Sequence, residues 1–292
     1  MKPSSSIGLV AIALVAGWLG NGYLNTKTTT AAVKETTYDR VMRTQTIRCG
    51  YALWAPLMIK DPNTGVLSGS IHDYMEALGH ALNLKIEWAE ETGWGDFPAA
   101  LESGRIDTFC AGVWPNASRA RQADFTQPIS YQTMYAYGRS DDRRFDDNLT
   151  AINNPSVTIT ALDGEVAALI ASTDFPKAKT LQMSQLATGA ETLTATAAGK
   201  ADVTFTDPAT VAQFEANNPG KIRRITTKTP LRIFGNTIAV ARKQEEFRQM
   251  LNSATQELLF NGQIEKILAK YEQYPGTFLR VAPNYLVDER AN

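Results

Sequence analysis

Gly104–Pro128 reads GRIDTFCAGVWPNASRARQADFTQP, and the order of its parts decides the fold class. Ile106–Ala111 (IDTFCA) is a short, mostly apolar run between Gly104 and Gly112, the pattern of a buried strand. Gly112–Asn116 turns the chain, and Pro115 stops the strand. From Asn116 the sequence predicts a helix start: Asn116 or Ser118 can cap it, and Ala117, Ala120 and Ala123 favour it. Arg119 then falls in the first helical turn, just past the C-terminal end of a strand. The helix dipole mildly disfavours a cation there. Two readings stand: a guanidinium that holds a ligand carboxylate, or a solvated member of an Arg119/Arg121 charge pair.

Upstream, Thr46–Gly50 (TIRCG) predicts a strand, Tyr51–Lys60 a loop and short strand around Trp54 and Pro56, and Asp61–Gly65 (DPNTG) a turn. Asp73–Leu84 places Met75, Leu78 and Leu82 on one helical face, with Asp73 as cap. Leu84–Trp88 is the next strand, and Asp96–Ser103 a helix with Pro in its first turn, ended by Gly104. Strand and helix alternate, which is the pattern of a parallel α/β sheet, and in such sheets ligands sit at the carboxyl ends of strands. Trp54, Gly112–Asn116 and Arg119 all fall on such ends.

Downstream, Ser130–Gly138 (SYQTMYAYG) is β-rich and aromatic, and Ser140–Thr150 is charged and turn-like, as a border between lobes would be. A second α/β series follows: a strand at Val157–Ala161, a turn and helix at Leu162–Ile170, a strand at Lys179–Met183, a helix at Ala187–Ala198 and a strand at Ala201–Thr206. Asp207 sits between that strand and Pro208, where a plain helix cap and a ligand-binding carboxylate both fit. Phe234–Ala241 is a further strand, and helices are expected at Phe247–Phe260 and Gln263–Tyr271, with Phe278, Val281 and Tyr285 in a tail able to dock.

Composition narrows the function. The 292 residues are 43% hydrophobic and 20% charged, ordinary globular values. Net charge is −1, pI is near 6.2, and no block of Lys or Arg occurs, which argues against a nucleic-acid surface. With two Cys, two His and no phosphate-binding glycine motif, neither a metal site nor a cofactor is expected. Residues 3–26 carry no charge, and the thirteen residues Ile7–Leu19 form an apolar core after Lys2. That suits a signal peptide better than a membrane span, which needs about 20 apolar residues. Residues 1–24 are expected to be either a cleaved signal or an uncleaved anchor, the protein's one membrane contact, and both send the rest out of the cytoplasm. No Cys lies near the end of the apolar stretch, so a lipoprotein anchor is not expected. Residues 25–45 form a linker, Thr- and Ala-rich at first, with an amphipathic piece at Glu35–Thr44.

The run TIRCGYALWAP…DPNTGVLSGSIHDYMEALGHALNLKIEW…GDFPAALESGRIDTFCAGVWPNASRARQADFTQP resembles the first lobe of the family 3 extracellular solute-binding proteins. These are type II periplasmic binding proteins that supply polar amino acids to ABC importers. The resemblance resumes, more weakly, at GKADVTFTDPATV, FGNTIAVARK and FNGQIEKILAKY. It implies an α/β chain of two lobes joined by two hinge crossovers: lobe one at 46–134 and 237–292, lobe two at 138–232, with crossings near 135–137 and 234–236. It also implies a ligand between the lobes and an ABC permease as partner. Arg119 matches the family's carboxylate-binding arginine, Asp207 its ammonium-binding aspartate, and Trp54 an aromatic that packs on the ligand. Gly112, Val113 and Trp114 match strand-end backbone that hydrogen-bonds the ligand.

The chain departs from the family in two places. Asn116-Ala117-Ser118 stands where a Thr-Pro-Glu run is usual, leaving the Asn116 amide to replace a carboxylate-binding hydroxyl. Leu162-Asp163-Gly164-Glu165 stands where a Gly-Thr or Gly-Ser loop is usual. Asp163 there could favour a cationic ligand, or cap the following helix with Glu165 supporting its first turn. Cys49 and Cys110 end strands that should be neighbours, where a disulfide and two buried thiols both remain open. His72 and His80 suit surface or capping roles.

Capture of an amino acid or similar zwitterion for an ABC importer, without catalysis, is the reading these features support. Two alternatives share the scaffold: an enzyme resembling cyclohexadienyl dehydratase, with Asp163 or Glu165 as general acid, and a membrane-tethered sensory domain.

Overall fold

The computed structural model describes residues 35–146, 148–225 and 229–281. The apolar N-terminal stretch, most of the Thr-rich linker and Tyr285 lie outside these residues. Helix α1 (Thr37–Thr44) precedes β1 (Thr46–Tyr51), a small hairpin of β2 (Ile59–Lys60) and β3 (Leu67–Ser68), α2 (Ser70–Leu82), β4 (Lys85–Glu91), α3 (Phe97–Glu102) and β5 (Thr108–Val113). Strands β6 (Ala123–Phe125) and β7 (Ser130–Arg139) lead to β8 (Thr158–Leu162), α4 (Val166–Asp174), β9 (Lys179–Met183), α5 (Gly189–Ala197), β10 (Val203–Thr206) and α6 (Pro208–Asn217). Strands β11 (Ile222–Arg224) and β12 (Arg232–Ala241), helices α7 (Glu245–Phe260) and α8 (Gln263–Tyr271) and strand β13 (Leu279–Arg280) complete the series.

One sheet runs through the molecule in the order β4-β1-β5-β12-β7-β10-β8-β9. β1 lies parallel to β4 and β5, and β8 parallel to β9 and β10, as expected for α/β units. Between these groups run β7 and β12, antiparallel to one another over Ser130–Met134 and Arg232–Asn236. Each then changes partner: β7 joins β10 from Tyr135, and β12 joins β5 from Thr237. All six residues of β5 are buried, so its near-continuous apolar run is that of a strand covered on both faces.

Two main apolar clusters flank the sheet. Ile47, Ile71, Tyr74 and Leu78 meet Phe247, Leu251 and Ile267 under α2, α7 and α8. Met134, Ile159, Ile170, Phe175 and Phe205 form a separate cluster under α4. Phe247, Leu251, Ala254 and Leu258 recur at helical spacing along α7, which fixes the face it buries. Cys49 of β1 and Cys110 of β5 are joined as a disulfide, with Cα atoms 5.6 Å apart.

Two local expectations are corrected. The helix expected from Asn116 is a single 3-10 turn, Arg119–Arg121. The next residues pair with β12 as β6, and the sheet edge takes the segment that helix propensity favoured. Helix α2 begins at Ser70, one turn before Asp73, after Gly69 with φ +123°. A Cβ on Gly69 would lie 2.3 Å from the Leu57 carbonyl oxygen, so the start is set by a close backbone approach that only glycine permits. Asp73 instead accepts hydrogen bonds from Lys270 (2.6 Å) and Tyr271 (2.9 Å), tying α2 to α8.

Candidate functional site

The site forms where the loops after β1, β4 and β5 face the N-termini of α4 and α6. Trp54, in the loop after β1, donates from Nε1 to Oδ2 of Asp207 (3.1 Å). Asp207 caps α6: Oδ1 accepts from the Thr210 amide (2.9 Å) and Oδ2 from the Thr210 hydroxyl (2.6 Å). Its sequence reading as a cap is therefore realised, and the same carboxylate also meets the facing loop. With the residue 1% exposed, burial raises its pKa above the usual carboxylate range, against the pull of Thr210 and Trp54.

Arg119 is held by the 3-10 turn, whose first bond runs from the Arg119 amide to Oδ1 of Asn116 (2.9 Å). Its guanidinium donates to the carbonyl oxygens of Trp114 (2.9 Å) and, across the cleft, Gly164 (2.7 Å). It also lies 5.8 Å from the ring centres of both Trp94 and Phe97, a cation over aromatic faces. Burial lowers the pKa of Arg119, and the Glu165 carboxylate opposes that fall. Glu165 is the N-cap of α4, its Oε2 accepting from the Ala167 amide (2.6 Å). Burial raises its pKa, while the helix amides and Arg119 act in the other direction. Glu165 thus stands near both the Arg119 guanidinium and the second buried carboxylate, Asp207.

Aromatic side chains frame this cluster. Trp94 meets Trp54 and Phe109 edge-on, at centroid distances of 6.1 and 5.6 Å. Trp114 stacks on Phe234 (4.8 Å) and donates from Nε1 to Asn236 (2.8 Å), which in turn donates to Ser130 (2.9 Å). Trp54, Trp94, Trp114, Arg119, Gln132 and Glu165 enclose a cavity of about 20 Å³. That is room for roughly one water, so a larger ligand needs the walls to part. On the other side of Trp54 a groove of about 330 Å³ runs between Lys60, Thr188, Thr210 and Gln213.

The walls touch directly. Gly95 donates its amide to Oε1 of Gln185 (2.9 Å), and Nε2 of Gln185 donates to Asp96. Gly164, with φ +72°, packs so closely on this loop that a Cβ would lie 2.5 Å from the Gly95 nitrogen.

Of the residues singled out in the sequence, Trp54, Gly112, Trp114 and Arg119 line the cavity, and Asp207 joins it through the Trp54 indole. Three do not line it. Val113 gives its carbonyl to the Thr237 hydroxyl (2.7 Å), and Asn116 gives its side chain to the Arg119 amide. Asp163 is exposed and accepts from Gln182 (3.2 Å), so Glu165 rather than Asp163 faces Arg119. Sequence reasoning missed Trp94 and Gln132. A Trp between two glycines at Gly93-Trp94-Gly95, and a lone amide alternating with Ser130 and Met134 along β7, were the available signals. Among the described residues no group of acidic, His or Cys side chains has metal-site geometry, and no helix is long and apolar enough to cross a membrane.

Residues 47–274 match the profile of the bacterial extracellular solute-binding proteins, family 3. The chain belongs to that family. A "probable histidine-binding protein" of Neisseria gonorrhoeae is 27% identical over 224 residues, 75% of this chain and 80% of that protein. Among solved structures, an ancestral amino acid-binding protein described as a precursor of cyclohexadienyl dehydratase superposes with a TM-score of 0.70. It is 23% identical and covers 81% of this chain and 99% of that one. The solute receptor for L-cysteine of N. gonorrhoeae gives a TM-score of 0.71 at 18% identity, covering 84% and 99%. At these identities the structures speak to the fold, the two-lobe type II periplasmic binding architecture with two crossovers.

Proposed function

We propose that this family 3 solute-binding protein captures an amino acid between its lobes, residues 46–134 with 237–292 on one side and 138–232 on the other, and passes it to an ABC importer. The observation that carries the reading is that Arg119 on one wall of the cleft lies opposite buried Glu165 on the other, with buried Asp207 near Glu165 and hydrogen-bonded to Trp54. A zwitterion complements both: a planar carboxylate for the guanidinium fork, an ammonium with three donors for the carboxylates. Because the charges come from opposite walls, a bound zwitterion bridges the lobes and favours closure. The relatives, a probable histidine-binding protein and an L-cysteine receptor among them, support an amino acid as the ligand class. The disulfide between Cys49 and Cys110 fits an oxidising, extracytoplasmic setting, reached through the N-terminal segment. Calorimetric titration with the twenty amino acids is the test: micromolar or tighter binding of at least one is expected, and no binding of any would remove the proposal.

One observation favours a second reading. Glu165 is buried with its pKa raised, as a general acid requires, and one structural neighbour is described as a dehydratase precursor. Turnover of prephenate or arogenate would establish that reading, and binding of an amino acid with no product formed would exclude it.

A further inference from the structure

Gln132 lies on β7 opposite Phe234, at the point where the chain passes between the two halves of the sheet. It is 1% exposed and lines the cavity with Arg119, Glu165 and Trp94. Neither Oε1 nor Nε2 has a hydrogen-bond partner. Among the described residues the other buried side-chain oxygens without a partner are single hydroxyls, on Ser70, Thr160 and Thr206, and none of these residues lines the cavity. Burying an amide with both ends unpaired is costly, and native folds avoid it unless the group has another use. Strand alternation aims Gln132 inward with Ser130 and Met134, and its backbone belongs to the sheet, so the side chain is held in place.

Resting on the reading that the cleft binds an amino acid, we propose that Gln132 is a specificity-determining residue that contacts the ligand's side chain and selects one bearing both a donor and an acceptor, an imidazole or a carboxamide. Its Nε2 donates to the ligand acceptor, and its Oε1 accepts from the ligand N–H. A guanidinium or ammonium side chain offers donors alone and leaves the Gln132 donors unpaired. An aliphatic side chain leaves both ends unpaired, which sites built for hydrogen bonding reject strongly.

The experiment is a calorimetric comparison of the full protein with Gln132→Met, titrated with histidine, glutamine, asparagine, arginine, leucine and methionine, with thermal unfolding recorded for both. Wild type should bind an imidazole or carboxamide amino acid more tightly than the aliphatic or arginine ligands. Gln132→Met should unfold at the same or a higher temperature, since a costly buried amide is gone. Its affinity for that preferred ligand should fall at least 30-fold, and its preference should move toward leucine or methionine. The inference is overturned if Gln132→Met keeps the preferred ligand within threefold, the mark of an amide that meets only water or a void. It is also overturned if wild type prefers arginine or an aliphatic side chain, a readout that needs no variant. Wild-type binding with an unmoved preference removes this inference alone, whereas no amino acid binding by wild type removes the proposed function with it.

Discussion

The Trp54 indole nitrogen lies 3.1 Å from Oδ2 of Asp207, so a loop leaving β1 is hydrogen-bonded to the residue that opens α6 on the other half of the sheet. Asp207 therefore has two attachments, the helix it caps and the aromatic residue facing it. Asp207→Asn separates the two roles, because asparagine caps a helix about as well as aspartate. The unfolding temperature at pH 7 should hold or rise by a few degrees, because the cap is kept and a buried carboxylate becomes neutral. Ligand affinity should fall about 100-fold or more, as for loss of one partner of a buried charge pair. Calorimetry and thermal unfolding on the same sample check both; retained affinity would leave Asp207 as a cap alone.

Arg119→Lys keeps the charge and loses the fork. The guanidinium donates to two carbonyl oxygens from different loops, Trp114 and Gly164, and lies near the Trp94 and Phe97 rings, a set that one ammonium cannot reproduce. Ligand affinity should drop at least tenfold, about 1.4 kcal/mol. Arg119→Ala should be worse in both affinity and stability, because the Trp114 and Gly164 carbonyl oxygens then lose their donor and the aromatic faces their contact. Equal affinity in the Arg119→Lys variant and the wild-type protein would show that the fork is not used.

Glu165 and Asp207 both have pKa values raised by burial. A carboxyl whose folded pKa exceeds its unfolded one gives stability that is present below the unfolded pKa and lost as pH rises through the folded pKa. These two groups thus favour the folded cleft in acid and weaken it toward neutrality. Glu165→Gln, which retains a capping oxygen, should raise the unfolding temperature at pH 7 by a few degrees, the scale of about 1 kcal/mol in a protein of this size. It should also flatten the pH dependence above the ordinary carboxylate range. A lower unfolding temperature at pH 7 would mean that the ionised carboxylate, paired with Arg119, is the stabilising form.

The disulfide closes a loop between residues 61 apart in sequence, and both sulfurs belong to fully buried side chains. Chain-entropy arguments assign such a closure about 4 kcal/mol. Replacing Cys49 and Cys110 together by Ala should lower the unfolding temperature by roughly 10 °C, with ligand affinity nearly unchanged. A loss of a degree or less would show that the unfolded chain is already compact around these strands.

Much of this was legible in the sequence because strands and helices carry their own periodicity. IDTFCA announces a buried strand, and Thr206-Asp207-Pro208 announces a strand end and a helix start together. Arg119 was conspicuous as a cation past a strand end. Local pattern failed where tertiary partners decide. Asn116–Ala123 favours a helix by composition, but β12 claims Ala123–Phe125. Asp73 has the chemistry of a cap, but Gly69 has the backbone freedom and α8 has the partners. Gln132 was invisible for a different reason. On paper it is one polar residue in an aromatic strand, and its lack of partners exists only once the cavity is assembled.

The pairing of β7 with β12 has a mechanical consequence. Where the chain passes between the halves of the molecule it does so twice, and the two passes are bonded to each other over five residue pairs. Such a ribbon resists sliding, because a slip of one residue would break the ladder and turn every side chain to the opposite face. It yields instead by flexing across its width and twisting. Under the proposed function, opening and closing of the cleft would be the stroke of a clamshell with one axis, in which atoms near the axis travel least. In such a stroke Trp54 and Arg119 would ride on one jaw and Asp207 on the other, whereas Gln132, within the β7–β12 ribbon, would sit on the pivot and travel least.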